Sequence, residues 1–196
     1  MPERWNDRYS VFLELPEVSY CLQKYVHLLP TQGTGLDLAC GLGQNLIFLS
    51  KQGLTMHGWD YSQAGLKQME RHCSLQKIEV NQRCIDLVKT SWPNQQFDLI
   101  CVTAFLDRAL CPQIVSHLKP GGMLVYQTFN QVTAIAGERL SKPRRSQLLL
   151  SPGELLMLFR DLEPLVYHDE QELTPLGHPL AGKAFLIARK PKPAEF

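Results

Sequence analysis

The sequence predicts an α/β fold in which helices cover both faces of a mostly parallel sheet. Apolar runs of strand length alternate with helical patterns between residues 35 and 127, and this alternation is typical of β-α-β units. Two glycine turns, in 36–43 and 118–126, border the region. The first follows a buried strand and opens a helix, and the second ends a helix before another buried strand. With 196 residues, 44% of them hydrophobic, one domain over 1–196 is expected.

Each element is predicted from a local signal. Apolar runs predict parallel strands at 35–39, 55–59, 78–85, 97–102 and 123–127, and an antiparallel edge pair at 165–167 and 184–188. Ser62 is the predicted N-cap of one helix, a second enters near Pro112 and stops at 119–122, and a third begins at 151–154. A helix at 18–29 forms part of an N-terminal cap over 1–30. The polar and basic connection within 128–150 is longer than usual loops, so we expect a lid insertion or a solvated loop there.

Composition excludes several classes of protein. Twenty Lys and Arg oppose nineteen Asp and Glu, and this net charge of +1 lacks the basic footprint of a nucleic-acid binder. No apolar stretch reaches the roughly 20 residues of a membrane span, so we expect a cytoplasmic protein with no membrane partner. The six cysteines contain no C-x-x-C pair and the histidines do not cluster, so neither disulfides nor a metal site is expected. A small-molecule substrate is therefore favoured.

The first glycine turn predicts a nucleotide-like ligand. Gly41 and Gly43 lie where a strand meets a helix N-terminus, and the missing Cβ atoms let a ligand approach the backbone. The dinucleotide pattern G-x-G-x-x-G needs a third glycine at position 46, where this chain has Leu46. An NAD-dependent oxidoreductase is thus disfavoured. The alternative is that both glycines only serve the turn.

Acidic residues follow the second and third predicted strands. Asp60 lies where a carboxylate accepts hydrogen bonds from ribose hydroxyls, and Tyr61 beside it can pack on an adenosine. Asp86 can accept from an adenine amino group, with Leu87 offering an amide and an apolar face, which favours S-adenosylmethionine (SAM) over NAD. The alternatives are a helix-capping Asp60 and an exposed loop aspartate at position 86.

The crevice beyond the fourth strand is expected where donor and acceptor meet. Residues 103–108 occupy it, and Phe105, Trp5 and Tyr9 can offer aromatic faces to a sulfonium. Arg108 can bind an anionic acceptor with its guanidinium. A further basic set suggests the same role, unless it is a solvated loop face: Arg139, Lys142, Arg144 and Arg145.

Several segments together resemble the class I SAM-dependent methyltransferases. The resemblance is carried by 36–43, 58–62, 97–100 and 118–122. A likeness to the tellurite-resistance (TehB-like) branch is carried by 5–9, 105–108, 127–129 and 151–156. The resemblance to this class implies a three-layer, Rossmann-like, doubly wound sheet of seven strands, of which the last is antiparallel.

The resemblance also implies site residues. The cofactor SAM would contact Asp37, Gly41, Gly43, Asp60, Tyr61, Asp86, Leu87 and Thr103. Positioning or catalytic roles fall to Arg108, Asp107 and Tyr9. Two positions depart from the pattern, because Ala39 replaces the usual first glycine and Asp107 a common histidine.

We therefore expect methyl transfer from SAM (EC 2.1.1.-) to a small molecule. A tellurium or selenium oxyanion or a thiolate needs no general base, whereas a hydroxyl or amine would need one such as Asp107 or Tyr126. The alternative function is a non-catalytic SAM-binding protein that regulates a partner.

Overall fold

The computed structural model describes residues 2–11, 14–131, 146–175 and 177–193. Its strands are β1 Thr34–Leu38, β2 Thr55–Asp60, β3 Asn81–Cys84, β4 Phe97–Thr103, β5 Leu118–Phe129, β6 Glu163–His168 and β7 Lys183–Arg189. They form one seven-stranded sheet in the order β3-β2-β1-β4-β5-β7-β6. Only β7 runs against its neighbours β5 and β6. The predicted mostly parallel sheet with an antiparallel last strand is confirmed.

Helices cover both faces of this sheet. They are α1 Pro2–Ser10, α2 Tyr20–Lys24, α3 Gln44–Lys51, α4 Gln63–Leu75, α5 Cys111–Ser116 and α6 Glu154–Leu158. One apolar cluster includes α2, α3 and α4 residues such as Leu22, Leu46 and Met69. The other, on the opposite face, includes Ile114 of α5 and Leu155 of α6. This three-layer arrangement places the carboxyl ends of β1, β2 and β4 at a common edge, where ligands bind in open α/β sheets.

The N-terminal helix predicted at 18–29 is wrong in extent. Helix α2 ends at Lys24, and a 3₁₀ turn follows at Val26–Leu28. Between them Tyr25 leaves the helical conformation, with φ −112° and ψ 22°, and its ring packs 5.6 Å from that of Phe185. Tertiary packing therefore overrides the helical pattern of this segment.

Strand β5 begins earlier than the sequence predicts. Leu118, expected at the end of a helix, is fully buried as the first residue of β5 and pairs with Phe97. The register then shifts, so that Leu99 pairs with Met123. The second glycine turn is the bulge between these pairs, and a Cβ on Gly122 would lie 2.9 Å from the Phe97 carbonyl oxygen.

The third strand and the last helix are shorter than predicted. Strand β3 covers only Asn81–Cys84, because it lies at the sheet edge and pairs with β2 alone. Helix α6 begins at Glu154 rather than near Ser151, since Gly153 adopts a left-handed conformation with φ 74°. The Glu154 carboxylate still accepts a hydrogen bond from the Ser151 amide at 2.8 Å. Half of the predicted capping pattern is thus present.

In the described part of the chain, no helix combines the length and apolar character needed to cross a membrane. The described residues also contain no group of three or more His, Cys, Asp or Glu side chains arranged to hold a metal ion. The predicted basic set at 139–145 and most of the predicted lid insertion at 128–150 lie outside the described residues.

Candidate active site

The turn between β1 and α3 curls the backbone into the left-handed region. Ala39, Gly41 and Gly43 have φ values of 58°, 54° and 79°. A Cβ on Gly41 would lie 2.7 Å from the hydroxyl of Tyr9, and one on Gly43 would lie 2.3 Å from Cγ of Met69. The absence of a Cβ at Gly41 therefore lets Tyr9 pack directly on the turn, whereas Gly43 is required for packing of the turn on α4. Their contacts with a cofactor stay predictions.

Asp60 connects the glycine turn with the residues that begin helix α4. Its Oδ2 accepts a hydrogen bond from the Gly41 amide at 2.9 Å, and its Oδ1 accepts one from the Ser62 amide at 2.8 Å. The side chain is buried, and burial raises its pKa while the amides of Ser62, Gly41 and Tyr61 oppose that increase. A carboxylate has about four acceptor positions, so the three amides leave about one for a ribose hydroxyl. The helix-capping alternative and the ribose-binding prediction are thus compatible.

Ser62 caps helix α4, as the sequence predicts. Its hydroxyl accepts a hydrogen bond from the Gly65 amide at 3.1 Å and donates one to Oδ1 of Asn6 at 2.7 Å. The same Asn6 oxygen accepts from the Ala64 amide at 3.2 Å. The sequence analysis did not predict these contacts of Asn6. The one signal for them was the position of Asn6 in the polar segment before Tyr9. These contacts attach α1 to the start of α4.

Tyr9 lies over the glycine turn. Its ring centroid is 5.5 Å from that of Trp5, and the two rings are stacked. Burial raises the pKa of the Tyr9 phenol, and the negative charge of Asp60 raises it further. Tyr9 therefore stays protonated as a hydrogen-bond donor at neutral pH. Its positioning role stays a prediction, as does the role of Trp5, whose ring packs against that of Tyr9.

Asp37 has a buried carboxyl group whose oxygens form no hydrogen bond of good geometry. It lies on β1, is 1% exposed, and neither of its side-chain oxygens has a partner in hydrogen-bonding geometry. Burial raises its pKa to about 8, opposed by the Leu46 amide and supported by the charge of Asp60. An unpaired buried carboxyl group is costly. A ligand with a cationic donor group would satisfy it.

Asn45 holds the N-terminal segment against the end of β4. Its side-chain amide donates to Oγ1 of Thr103 at 2.8 Å, and its oxygen accepts from the Ser19 amide at 2.9 Å. Sequence reasoning predicted Thr103 as a cofactor contact but missed Asn45. A signal was present, because Asn45 is a polar residue at the start of an apolar helix. Thr103 is thus positioned at the site by the residue that follows the glycine turn.

The residues after β3 form a compact turn. Asp86 Oδ1 accepts hydrogen bonds from the amides of Val88 at 3.1 Å and Lys89 at 3.3 Å, and its side chain is 39% exposed. Leu87 is buried, and its carbonyl accepts from Trp92 Nε1 at 3.0 Å. Oδ2 of Asp86 lies 3.8 Å from Nζ of Lys89, so both carboxylate oxygens have partners within the turn. The contacts of Asp86, Leu87 and the half-buried Tyr61 with a cofactor stay predictions.

Arg108 binds the chain itself. Its guanidinium donates to both carboxylate oxygens of Glu154 and to the carbonyls of Gln147 and Leu149. These four hydrogen bonds use most of the five N–H groups of an arginine. Arg108 therefore fastens the segment before α6 to the crevice, and its role in binding an anionic acceptor stays a prediction.

The two general-base candidates are also engaged. Asp107 Oδ1 caps a 3₁₀ turn by accepting from the Ala109 amide at 3.0 Å. Tyr126 donates its hydroxyl to the Phe105 carbonyl at 3.1 Å, and burial raises its pKa well above 10. This geometry disfavours Tyr126 as a base and leaves Asp107 as a prediction.

An open pocket of about 230 Å³ lies beside the glycine turn. The described residues around it come from the N-terminal segment, the start of α3, the ends of β4 and β5, and the start of β7. Gln44, Thr103, Gln127 and Lys183 are among them. The pocket therefore lies at the carboxyl edge of the sheet, next to the turn that the sequence predicts to bind a nucleotide-like ligand.

Comparisons with known proteins agree with this geometry. Residues 36–122 match the family described as a methyltransferase domain. The ubiquinone biosynthesis O-methyltransferase of Coxiella burnetii is 30% identical over 101 residues, which are 49% of this chain and 43% of that protein. The probable S-adenosyl-L-methionine-dependent methyltransferase TehB of Haemophilus influenzae is 23% identical over 141 residues, 68% of this chain and 47% of that protein. The chain thus spans under half the length of these relatives.

Solved structures share the fold. The TehB structure from Haemophilus influenzae aligns with a TM-score of 0.68 and 19% identity, covering 86% of this chain and 61% of that chain. An S-adenosylmethionine-dependent methyltransferase from Clostridium acetobutylicum aligns with a TM-score of 0.66 and 15% identity, covering 97% and 92%. Over residues 36–122 the chain is similar to the class I SAM-dependent methyltransferases, TehB among them. SAM is the cofactor of this class.

The described residues fit that cofactor. Asp37 has a buried carboxyl group without a partner, which suits the ammonium of a methionine moiety. Asp60 has about one acceptor position left for a ribose hydroxyl after its contacts with the three amides.

Proposed function

We propose that this chain transfers the methyl group of SAM to a small-molecule acceptor held in the pocket beside the glycine turn. The observation that carries the proposal is the partnerless carboxyl group of Asp37, buried at the same sheet edge as Asp60 and the pocket. When bound, SAM supplies an electrophilic methyl group on a sulfonium. In this proposal Asp37 holds the ammonium, Asp60 holds the ribose, and Tyr9 covers the turn.

The residues of the site then act by positioning. Methyl transfer is an in-line displacement, so alignment of the two reactants and exclusion of water account for most of the acceleration. Asn45 fixes Thr103 and Ser19 at the pocket, and Arg108 fixes the segment before α6. These contacts support a rigid acceptor site.

The pocket supports an acceptor that needs no strong base. Its described lining residues include neither histidine nor cysteine, and Glu17 is the one carboxylate among them. A tellurium or selenium oxyanion or a thiolate is nucleophilic without such a base. The likeness to TehB supports the same choice. The cytoplasmic location and the absence of nucleic-acid and membrane partners remain predictions.

The test is an acceptor screen. Purified protein and SAM are mixed with tellurite, selenite or small thiols, and S-adenosylhomocysteine (SAH) formation is measured. We expect turnover with at least one acceptor and about a tenfold or greater loss of turnover at limiting SAM in Asp60→Asn, because that variant weakens cofactor binding. SAH binding without turnover on any acceptor would instead favour the non-catalytic regulatory function.

A further inference from the structure

The pocket contains a buried side-chain amide whose oxygen has no partner. Gln127 lies near the end of β5 and is 6% exposed, and its Oε1 makes no hydrogen bond. Its backbone position is fixed on both sides, because it pairs with Thr103 of β4 and with Phe185 of β7. The backbone of Gln127 is thus held at a defined place beside the pocket, while its side-chain oxygen has no hydrogen-bond partner.

A second side-chain amide at the pocket also has a buried oxygen without a hydrogen-bond partner. Gln44, the first residue of α3, also lines the pocket, and its buried Oε1 has no partner. Neither residue is explained by packing, because a buried polar group without a hydrogen bond destabilises the fold. Buried groups of this kind in a native structure point to an absent partner. A ligand is the partner that a pocket can provide.

We propose that Gln127, supported by Gln44, selects methyl acceptors that carry a hydroxyl or amino group in addition to the nucleophilic atom. This inference rests on the proposed function and names the substrate class of its pocket. A side-chain amide presents both an acceptor and a donor. A hydroxyl group on the acceptor can pair with both, whereas a methyl group in its place leaves the amide unsatisfied.

The size of the pocket further limits the class of methyl acceptor. Its volume of about 230 Å³ is below the roughly 300–1,000 Å³ of sites for drug-sized ligands. Glu17 and Lys183 place one carboxylate and one ammonium at its lining. The pocket therefore favours acceptors whose reacting end is small and polar.

The strength of this selection follows from the cost of an unpaired amide. Sites that pair a buried polar group with a substrate hydroxyl reject the analogue that lacks the hydroxyl much more strongly than apolar pockets discriminate by size. We expect at least about tenfold discrimination from one such group.

Two thiols of matched shape test the proposal. 2-Mercaptoethanol and 1-propanethiol have the same nucleophilic sulfur, and differ in that a hydroxyl replaces a terminal methyl group. On methylation the thiolate sulfur forms a bond to the methyl carbon, the sulfonium sulfur keeps the electron pair of the broken bond, and the thiol proton goes to buffer. The binding of each thiol to the SAH complex and its methylation from SAM are both measured.

The expected result is at least tenfold tighter binding of 2-mercaptoethanol than of 1-propanethiol to the wild-type SAH complex. In Gln127→Leu the preference falls to about twofold or less, while SAH affinity is unchanged. The control Gln23→Leu alters a pocket residue whose amide already donates to the Val18 carbonyl at 2.8 Å, and it keeps the preference.

Four results would overturn the proposal, and three of them concern the thiols. These three are equal binding of the two thiols by wild type, absence of binding by both, and a preference that survives in Gln127→Leu. A large loss of SAH affinity in that variant would assign Gln127 to the cofactor and overturn the proposal as well. Selective thiol binding without methyl transfer would support the inference and contradict the proposed function alone.

Discussion

The hydroxyl of Tyr9 lies over Gly41, so close that a Cβ on the glycine would be 2.7 Å from the phenol oxygen. The same ring lies against Gly65 at the start of α4, where a Cβ would be 2.9 Å from Tyr9 Cδ2. Helix α1 thus closes over the turn through contacts that two glycines permit. The N-terminal helix and the glycine turn form one structural unit, and a change in either should affect the other.

Gly41→Ala is expected to weaken SAH binding and to destabilise the fold. The alanine would be in the left-handed region at φ 54°, which costs about 1–2 kcal/mol, and would displace Tyr9. Calorimetry and denaturant unfolding measure both effects. The control is Gly177→Ala, because a Cβ there meets nothing within 4 Å. Wild-type SAH affinity in Gly41→Ala would show that the turn does not contact the cofactor.

Asp37 is expected to release a proton when the cofactor binds. Burial raises its pKa to about 8, so it is mostly protonated at pH 7, and a ligand ammonium would favour the ionised form. SAH titrations in two buffers of different ionisation enthalpy should report close to one proton released. Asp37→Asn should release none and bind SAH more weakly. Buffer-independent heats in the wild type would argue against this contact.

Ionisation of the Asp37 carboxyl group should lower the free energy of unfolding of the ligand-free protein as pH rises. Because the folded pKa is raised, the protonated form stabilises the fold below the unfolded pKa near 3.8, and this contribution is lost as pH increases toward 8. Ligand-free Asp37→Asn should therefore lose less unfolding free energy than wild type between pH 4 and pH 8. Identical pH profiles would contradict the raised pKa.

Ala39→Gly is expected to stabilise the protein. Ala39 has φ 58°, and relief of this strain outweighs the added flexibility of glycine by up to about 1 kcal/mol. Thermal unfolding measures the gain. Ala64→Gly is the matched control, because Ala64 lies in helix α4, where glycine costs up to about 1 kcal/mol. A loss of stability in Ala39→Gly would mean that its methyl group contributes essential packing.

Asp98 is expected to contribute to acid sensitivity. Burial alone would raise its pKa, but hydrogen bonds from Lys119 Nζ at 2.8 Å and the Thr34 amide at 2.7 Å lower it overall. A lowered folded pKa gives stability that is present above about pH 3.8 and lost as pH falls through the folded value. Asp98→Asn should lower the unfolding free energy at pH 7, and its difference from wild type should shrink as pH falls through the lowered folded pKa. The substitution Asp161→Asn, at an exposed position, should change neither the unfolding free energy at pH 7 nor its dependence on pH.

The sequence predicted the sheet well because buried parallel strands leave a strong apolar signal. Strand β4 at Phe97–Thr103 and the cap at Ser62 are confirmed within a residue or two. The errors occur where long-range contacts decide local structure. Tyr25 breaks the predicted helix by packing on Phe185, and the bulge in β5 depends on its pairing with β4.

Fewer features of the site than of the sheet could be predicted from the sequence. Gly41, Asp60 and Thr103 follow strands in recognisable patterns, so their common edge was predictable. Asn6 and Asn45 were missed because each connects segments that are distant in sequence, Asn6 to Ser62 and Asn45 to Ser19 and Thr103. Nor could sequence show that Arg108 is paired with Glu154, 46 positions away. Only the fold brings these groups together.

The most direct test of the central claim is calorimetric titration of the protein with SAH, with NAD as the parallel ligand. The account predicts micromolar SAH binding, no heat with NAD, and SAH binding weakened by about 1–3 kcal/mol in Asp60→Asn but not in the exposed Asp161→Asn. Absence of SAH binding, or equal affinity in wild type and Asp60→Asn, would contradict the assignment of this sheet edge as the cofactor site.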